Sequence, residues 1–324
     1  MINVRTDLAV EACEIYKKEN NREADGVVVE EYEEDETKIT KVRVMTEDGA
    51  VKMGKPIGNY ITLDIPEYTA YDGELMDQVS KVLGKTLKKL ANIDENKLAL
   101  IVGLGNRNVT PDALGPKVTE GIMVTRHLKS VMPDAIDDNV VPVAAIAPGV
   151  LGVTGIETGE IIKSVVDKIK PDLVICIDAL ASRRIDRVNK TIQISDTGIS
   201  PGAGVGNHRM RINEETLGVK VIAIGVPTVV DAATIANDTI DLVLDDLIGQ
   251  SEEGKDFYNM LKKVDKHEKS VLIKEVLDPY VGDLVVTPKE VDLMIDSLSK
   301  IISNGINIAV QPNMTVEDIN KFLN

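Results

Sequence analysis

Apolar and polar positions divide the chain into two textures. Near the N-terminus they alternate: VVVEEY (27–32) and KITKVRVM (38–45) flank the acidic stretch Glu33–Glu36. That alternation predicts a β-hairpin with a solvated turn. YITLDIP (60–66) predicts a third short strand beside it, and residues 1–24 are charged and helix-prone. From residue 73 the texture changes. GELMDQVSKVLGKTLKKL (73–90) has helical period, whereas KLALIVGL (97–104) is a short, almost wholly apolar run, as strands buried on both faces are. There follow a helix over about 116–129, the strand VVPVAAIAP (140–148), a helix over roughly 155–169 and the strand DLVICIDAL (172–180). TIQIS (191–195) and VKVIAIGVP (219–227) read as strands, and VVDAATIANDTIDLVLDDLI (229–248) reads as a helix. Helices near 253–277 and 288–303, a short strand INIAV (306–310) and a last helix after Thr315 complete the expectation.

Strand–helix–strand alternation implies right-handed crossovers and an α/β fold. The expected architecture is a mainly parallel sheet with helices on both faces, plus a small N-terminal β appendage over about 25–66. No repeat, low-complexity tract or linker interrupts it, so a single domain with its core over about 73–310 is predicted. At about 150 residues per domain, 324 residues allow one or two.

Composition narrows the function classes. Hydrophobic residues make up 43% and charged residues 28%, enough for a large core. The formal net charge of −16 argues against direct nucleic acid binding and against anionic lipid. Aromatics at 3% offer no stacking platform for single strands. Cys13 and Cys176 are too few for a disulfide framework and have no zinc-type spacing, which suggests a reducing, cytoplasmic compartment. Residues 1–21 lack the apolar segment of a secretion signal, and no apolar run approaches the length of a membrane span, so no membrane association is expected.

Candidate chemistry is placed by a rule independent of motifs: in open parallel sheets, ligands gather beyond the carboxyl ends of the strands. Three apolar strands end in polar or glycine-rich segments, GLGNRNVTPDALG (103–115), ICIDALASRR (175–184) and GVPTVVDAAT (225–234). Asp112, Asp178, Thr228 and Asp231 fall there. The first segment resembles a dinucleotide fingerprint, but Asn108 stands where a third glycine is needed. The next strand also lacks an acidic residue at its end for a ribose hydroxyl. Asp112 and Asp178 suit a water-activating pair: two carboxylates held close cannot both ionise cheaply, so one keeps a proton and serves as acid while the other serves as base. Equally, Asp112 suits a helix N-cap and Asp178 a hydrogen bond to loop amides. The residues alone leave both roles open.

Five ordered segments carry a resemblance: VRTDLAVEA (4–12), GLGNRNVTPDALGPKV (103–118), LVICIDALASRR (173–184), DTGISPGAGVGNHR (196–209) and IGVPTVVDAAT (224–234). With them the chain resembles the germination proteases of spore-forming bacteria, endopeptidases of small acid-soluble spore proteins, which are related to hydrogenase-maturation proteases. The resemblance implies an atypical aspartic endopeptidase without a cofactor, whose catalytic aspartates fall on Asp112 and Asp178. It implies a self-processing zymogen cut between Asp7 and Leu8, with residues 1–7 as candidate propeptide and 8–324 as the peptidase domain. It further implies a homotetramer in the cytoplasm of the forespore and the spore core, with DNA-binding spore proteins as substrates. The related maturation proteases hold a metal with carboxylates and a histidine, so a metal-dependent enzyme is one alternative and a nucleotide-binding α/β module another. His127 falls in the predicted helix over 116–129, and neither it, His208 nor His267 matches that metal ligand. His208, the histidine nearest the expected rim, follows the glycine-rich loop 200–207, which reads as a substrate or flap region, and is a candidate substrate contact. Arg183 and Arg184, just after Asp178, suit either an acidic substrate side chain or surface ion pairs.

Overall fold

The computed structural model describes residues 6–67, 69–91, 97–131, 140–201, 209–250, 271–273, 275, 276, 284–314, 318, 319 and 321. His208, His267, the loop beyond residue 201 and all but a few residues of the helices predicted near 253–277 and after Thr315 lie outside that set.

The apolar runs form a four-stranded parallel core. β4 (Ala99–Gly103) pairs with β5 (Val143–Ile146) on one side and with β6 (Leu173–Ser182) on the other, and β6 pairs with β8 (Lys220–Asp231). Successive residues of β4 point to opposite faces, and both faces are covered. Ile101 joins Leu83, Leu114, Val118 and Ile302, which belong to helices α3 (Gly73–Ala91), α4 (Leu114–Glu120) and α10 (Val291–Val310). Leu100 and Val102 join Ile162 and Val166 of α7 (Thr158–Ile169) and Leu217 of the short helix α8 (Glu214–Leu217). Helices therefore lie on both faces, as expected.

The N-terminal hairpin is β1 (Val27–Glu34) and β2 (Thr37–Val44), and β3 (Gly58–Asp64) follows α1 (Ala9–Asn20) and α2 (Glu47–Met53) in the chain. This β segment joins the core edgewise. β3 runs antiparallel to β7 (Thr191–Ser195), which in turn is antiparallel to β8. With β9 (Val285–Val286) on β8, nine strands form one mixed sheet in the order β1-β2-β3-β7-β8-β6-β4-β5.

Four expectations need correction. The helix over 116–129 stops at Glu120. At Gly121 an added Cβ would lie 2.6 Å from the Ser303 hydroxyl, and the chain leaves the helix there through a turn, with Thr125 Oγ1 bonded to the Val141 carbonyl and the Val143 amide. The strand predicted over 306–310 is the last turns of α10. Its alternation misled because Asn307 is fully buried, accepting from the Met123 N–H and donating to the Gly121 carbonyl. β8 runs on to Asp231, so helix α9 (Ala232–Gln250) begins later than expected. Asp178 is not at the tip of its strand, because β6 extends to Ser182.

Candidate active site

The chain leaves β4 through α4 to β5, then returns through α7 to β6 on the other side of β4. Strand order therefore reverses between β4 and β6, where an open sheet forms a crevice at its carboxyl edge. The last β4 pairing is Gly103 with Ile177, so Asp178 is the first residue of β6 beyond the reach of β4. Asp112 approaches the same crevice from the loop after β4. It closes a short 3-10 turn, Thr110–Asp112, just before α4.

Glycines allow this approach. Gly105 has φ +108°, and a Cβ there would lie 2.1 Å from the Asp112 carbonyl oxygen; one on Gly115 would lie 2.2 Å from the Leu104 carbonyl oxygen. The glycines that resemble a nucleotide fingerprint thus press the Asp112 turn against the end of β4. Asp112 does not cap α4, whose N-cap Ala113 makes no side-chain bond. Its carboxylate accepts instead from the Asn106 N–H at 2.7 Å.

Electrostatically the two carboxyls form a pair. Asp178 is buried, and its carboxylate accepts from the Ala179 N–H at 3.0 Å. Burial first, and then the charge of Asp112, hold its pKa well above the ordinary carboxylate range; Asp7 adds a smaller push and Arg209 opposes it. Burial also raises Asp112, against the Asn106 N–H and Arg209. A buried pair whose second charge is opposed by the first favours holding one proton between them, the arrangement that can both donate and accept one.

Asp112 and Asp178 line a cleft of about 590 Å³, together with Asp7, Lys55, Gln193, Arg209 and Thr228. The N-terminal segment is fixed in it by several bonds. Asp7 donates its N–H to the Ala181 carbonyl at 3.1 Å and accepts from the Ala181 N–H at 2.9 Å through Oδ2. Its own carbonyl oxygen accepts from Lys55 Nζ at 2.9 Å and from Gln193 Nε2 at 3.0 Å. Leu8 is fully buried in a small apolar socket with Val10, Leu180 and Ile199. Behind it Glu11, also buried, accepts from the Arg183 and Arg184 N–H groups and from the Thr6 hydroxyl. Burial raises the Glu11 pKa against those bonds and the nearby Arg187.

The other candidates are placed away from the dyad. The Arg183 guanidinium forms a two-point ion pair with Asp238 on α9, and Arg184 pairs with Asp186. Neither lines the cleft. Asp231 accepts from the Thr234 N–H near the start of α9, and His127 lies exposed at the turn before a short helix, Leu128–Val131. Sequence reasoning missed Lys55, Gln193, Glu11 and Arg209. Lys55 and Gln193 stand in no motif, and only chain pairing brings them to residue 7; Arg209 closes a quoted segment but was not singled out. Among the described residues, no group of three or more His, Cys, Asp or Glu side chains could hold a metal ion. Among them, too, no helix is long and apolar enough to cross a membrane.

Comparison with known proteins yields one consistent family. The family model described as germination protease matches residues 4–262 and 245–323. The chain is 69% identical to the germination protease of Clostridium perfringens strain ATCC 13124 and 62% identical to that of Clostridium tetani, each over the full length of both chains. It is 43% identical to that of Priestia megaterium, covering 99% of this chain and 97% of the relative. A solved NiFe hydrogenase maturation protease from Thermococcus kodakarensis matches 60% of this chain and 99% of its own, at 19% identity and a TM-score of 0.29. With the family match and the relatives both spanning nearly the whole sequence, this chain belongs to the germination protease family and is a hydrolase of peptide bonds.

Proposed function

We propose that the cleft is an aspartic-type endopeptidase site, that its substrates are small acid-soluble spore proteins, and that the chain is a zymogen that cuts itself between Asp7 and Leu8. Asp112 is the base: its bonded carboxylate, near Arg209, is the member more easily ionised. Asp178 holds the proton of the pair. Water adds to the carbonyl carbon and gives a proton to Asp112, while the carbonyl π electrons move onto oxygen. The tetrahedral species then re-forms its carbonyl, the C–N bond breaks, and Asp178 delivers its proton to the leaving nitrogen. The products are a new carboxyl group and a new amine, and proton exchange with solvent restores the dyad.

The observation that carries this reading is the shared cleft: Asp7, the residue before the proposed cut, lines it with Asp112 and Asp178. An acidic residue followed by a leucine in an apolar socket is also the pattern expected of a substrate bond. In keeping with the family resemblance, the enzyme acts in the spore core as a homotetramer, and light scattering on the purified chain tests that assembly. The function itself is tested by incubating the protein alone and with a small acid-soluble spore protein, and mapping the new termini by mass. A self-cut after Asp7 and substrate cuts after acidic residues are expected. Absence of both overturns the reading.

A further inference from the structure

The Asp7 carbonyl receives an unusual welcome. A backbone carbonyl is neutral, and one N–H usually satisfies it, yet here the Lys55 ammonium and the Gln193 amide converge on the same oxygen at 2.9 and 3.0 Å. Lys55 also donates to the Thr6 carbonyl at 3.0 Å, and Gln193 Oε1 accepts from the Ala9 N–H at 2.7 Å, which fixes the orientation of its amide. The two donors come from separate elements, Lys55 just after α2 and Gln193 on β7. Burial lowers the pKa of Lys55 against the opposing pull of the Asp7 and Glu11 charges, so holding its charge here is costly in the resting state even with those carboxylates near. A cation beside a neutral carbonyl gains little. The same cation beside an oxygen becoming negative gains much, in a site that needs no reorganisation.

We infer that Lys55 and Gln193 are the oxyanion-stabilising donors of this protease, binding the carbonyl oxygen of the residue before the cut as it becomes the anion of the tetrahedral species. The inference rests on the proposed cut at Asp7–Leu8, since that assignment makes the Asp7 carbonyl the reacting one. Under it, the dyad supplies proton transfer, and these donors receive the electron pair displaced by water. A spore-protein chain would present its own carbonyl to the same pair once residues 1–7 have left.

The competing explanation is that Lys55 and Gln193 only tether the N-terminal segment. Lys55→Met removes the charge with little change in length, Lys55→Arg keeps a cationic donor, and Gln193→Glu keeps the acceptor for Ala9 while removing the donor. The first-order release of residues 1–7 from the purified full chain is followed by mass, alongside hydrogen exchange of the Asp7 amide, which donates to Ala181. Lys55→Met and Gln193→Glu are each expected to slow release by about 10²- to 10³-fold. Lys55→Arg should recover part of the rate, and Asp7 amide protection should stay as in the unaltered protein. An unchanged rate in the first two variants overturns the inference, as does a slow rate accompanied by lost protection, which means tethering alone. If the unaltered chain itself never cuts after Asp7, the processing assignment fails first and the inference falls with it; that result is distinct because it appears before any substitution.

Discussion

Two buried carboxylates, Asp178 within β6 and Glu11 of α1 against the residues just after that strand, live in opposite surroundings. Asp178 lies in the cleft, where its described hydrogen bond comes from the adjacent Ala179 N–H and the strongest charge acting on it is the like charge of Asp112. Glu11 is as deeply buried, but it accepts from two backbone N–H groups and a threonine hydroxyl, and the Arg187 guanidinium lies 3.8 Å away. Burial pushes both pKa values up. The contrast lies in what opposes that push. At Glu11 the N–H groups make the carboxylate a structural clasp, fixing α1 and the Thr6–Leu8 segment to the end of β6. At Asp178 little satisfies the charge, so the group is left to exchange protons. Burial alone therefore does not separate the proposed acid from a structural carboxylate; burial with few partners beside an open cleft does.

The largest expected effect removes the reactive side of this contrast. Asp178→Asn and Asp112→Ala should each slow self-cutting and substrate cleavage by about 10²- to 10⁴-fold, the range for a general acid or base, with circular dichroism unchanged. Normal rates in either variant would remove the dyad and leave both carboxylates structural. Next in size is the clasp. Glu11→Ala leaves the Arg183 and Arg184 N–H groups and the Thr6 hydroxyl without this acceptor, while Arg187 keeps Glu14 and Asp64, so urea unfolding should show a loss of about 2 kcal/mol. A loss below about 0.5 kcal/mol would mean that Glu11 is held no better than Asp178, and the comparison would collapse.

The pH dependence of stability sharpens the same difference. Asp178 has a raised pKa in the folded protein, so the fold prefers its protonated form. Its stability contribution is fully present below the unfolded carboxyl pKa of about 3.9 and is lost as pH rises toward the folded value. Asp178→Asn removes a titration that destabilises the fold on the alkaline side. Its melting temperature should therefore gain on the unaltered protein as pH is raised from about 4 to 8. A gap that stays constant or narrows over that range would show that Asp178 does not carry a raised pKa.

The sequence carried much of this site and little of its surroundings. Asp112 and Asp178 were legible because apolar runs locate buried strands, and the carboxyl edge of a parallel sheet is where chemistry collects. The Gly103–Gly115 motif was legible as a pattern but not in purpose, since only the close approach of the Asp112 turn to β4 shows what the missing Cβ atoms permit. Lys55 and Gln193 were not legible: 138 positions separate them, and the β3–β7 pairing that brings their elements together leaves no local signal. The last turns of α10 were misread for a related reason. A buried Asn307 with its amide fully bonded reads in sequence as the polar half of a strand alternation. Local periodicity reports burial well when buried means apolar, and fails where a polar side chain is buried and bonded.

Arg183 tests how far the structural side extends. It follows Asp178 by five positions and had suited contact with an acidic substrate as well as an ion pair. Its guanidinium instead meets Asp238 of α9 in a two-point pair, with the Arg183 side chain 22% and the Asp238 side chain 39% exposed. That geometry is favourable, but solvent screens a partly exposed pair, so Asp238→Ala should cost only about 1 kcal/mol in urea unfolding. Freed of its partner, Arg183 also becomes available to any acidic chain that reaches it. If the pair serves only to hold α9 against the end of β6, kcat and KM for a spore-protein substrate should be unchanged in Asp238→Ala. A KM that falls several-fold, and rises again on adding Arg183→Met, would return Arg183 to substrate recognition and move the border between clasp and cleft five residues along the chain.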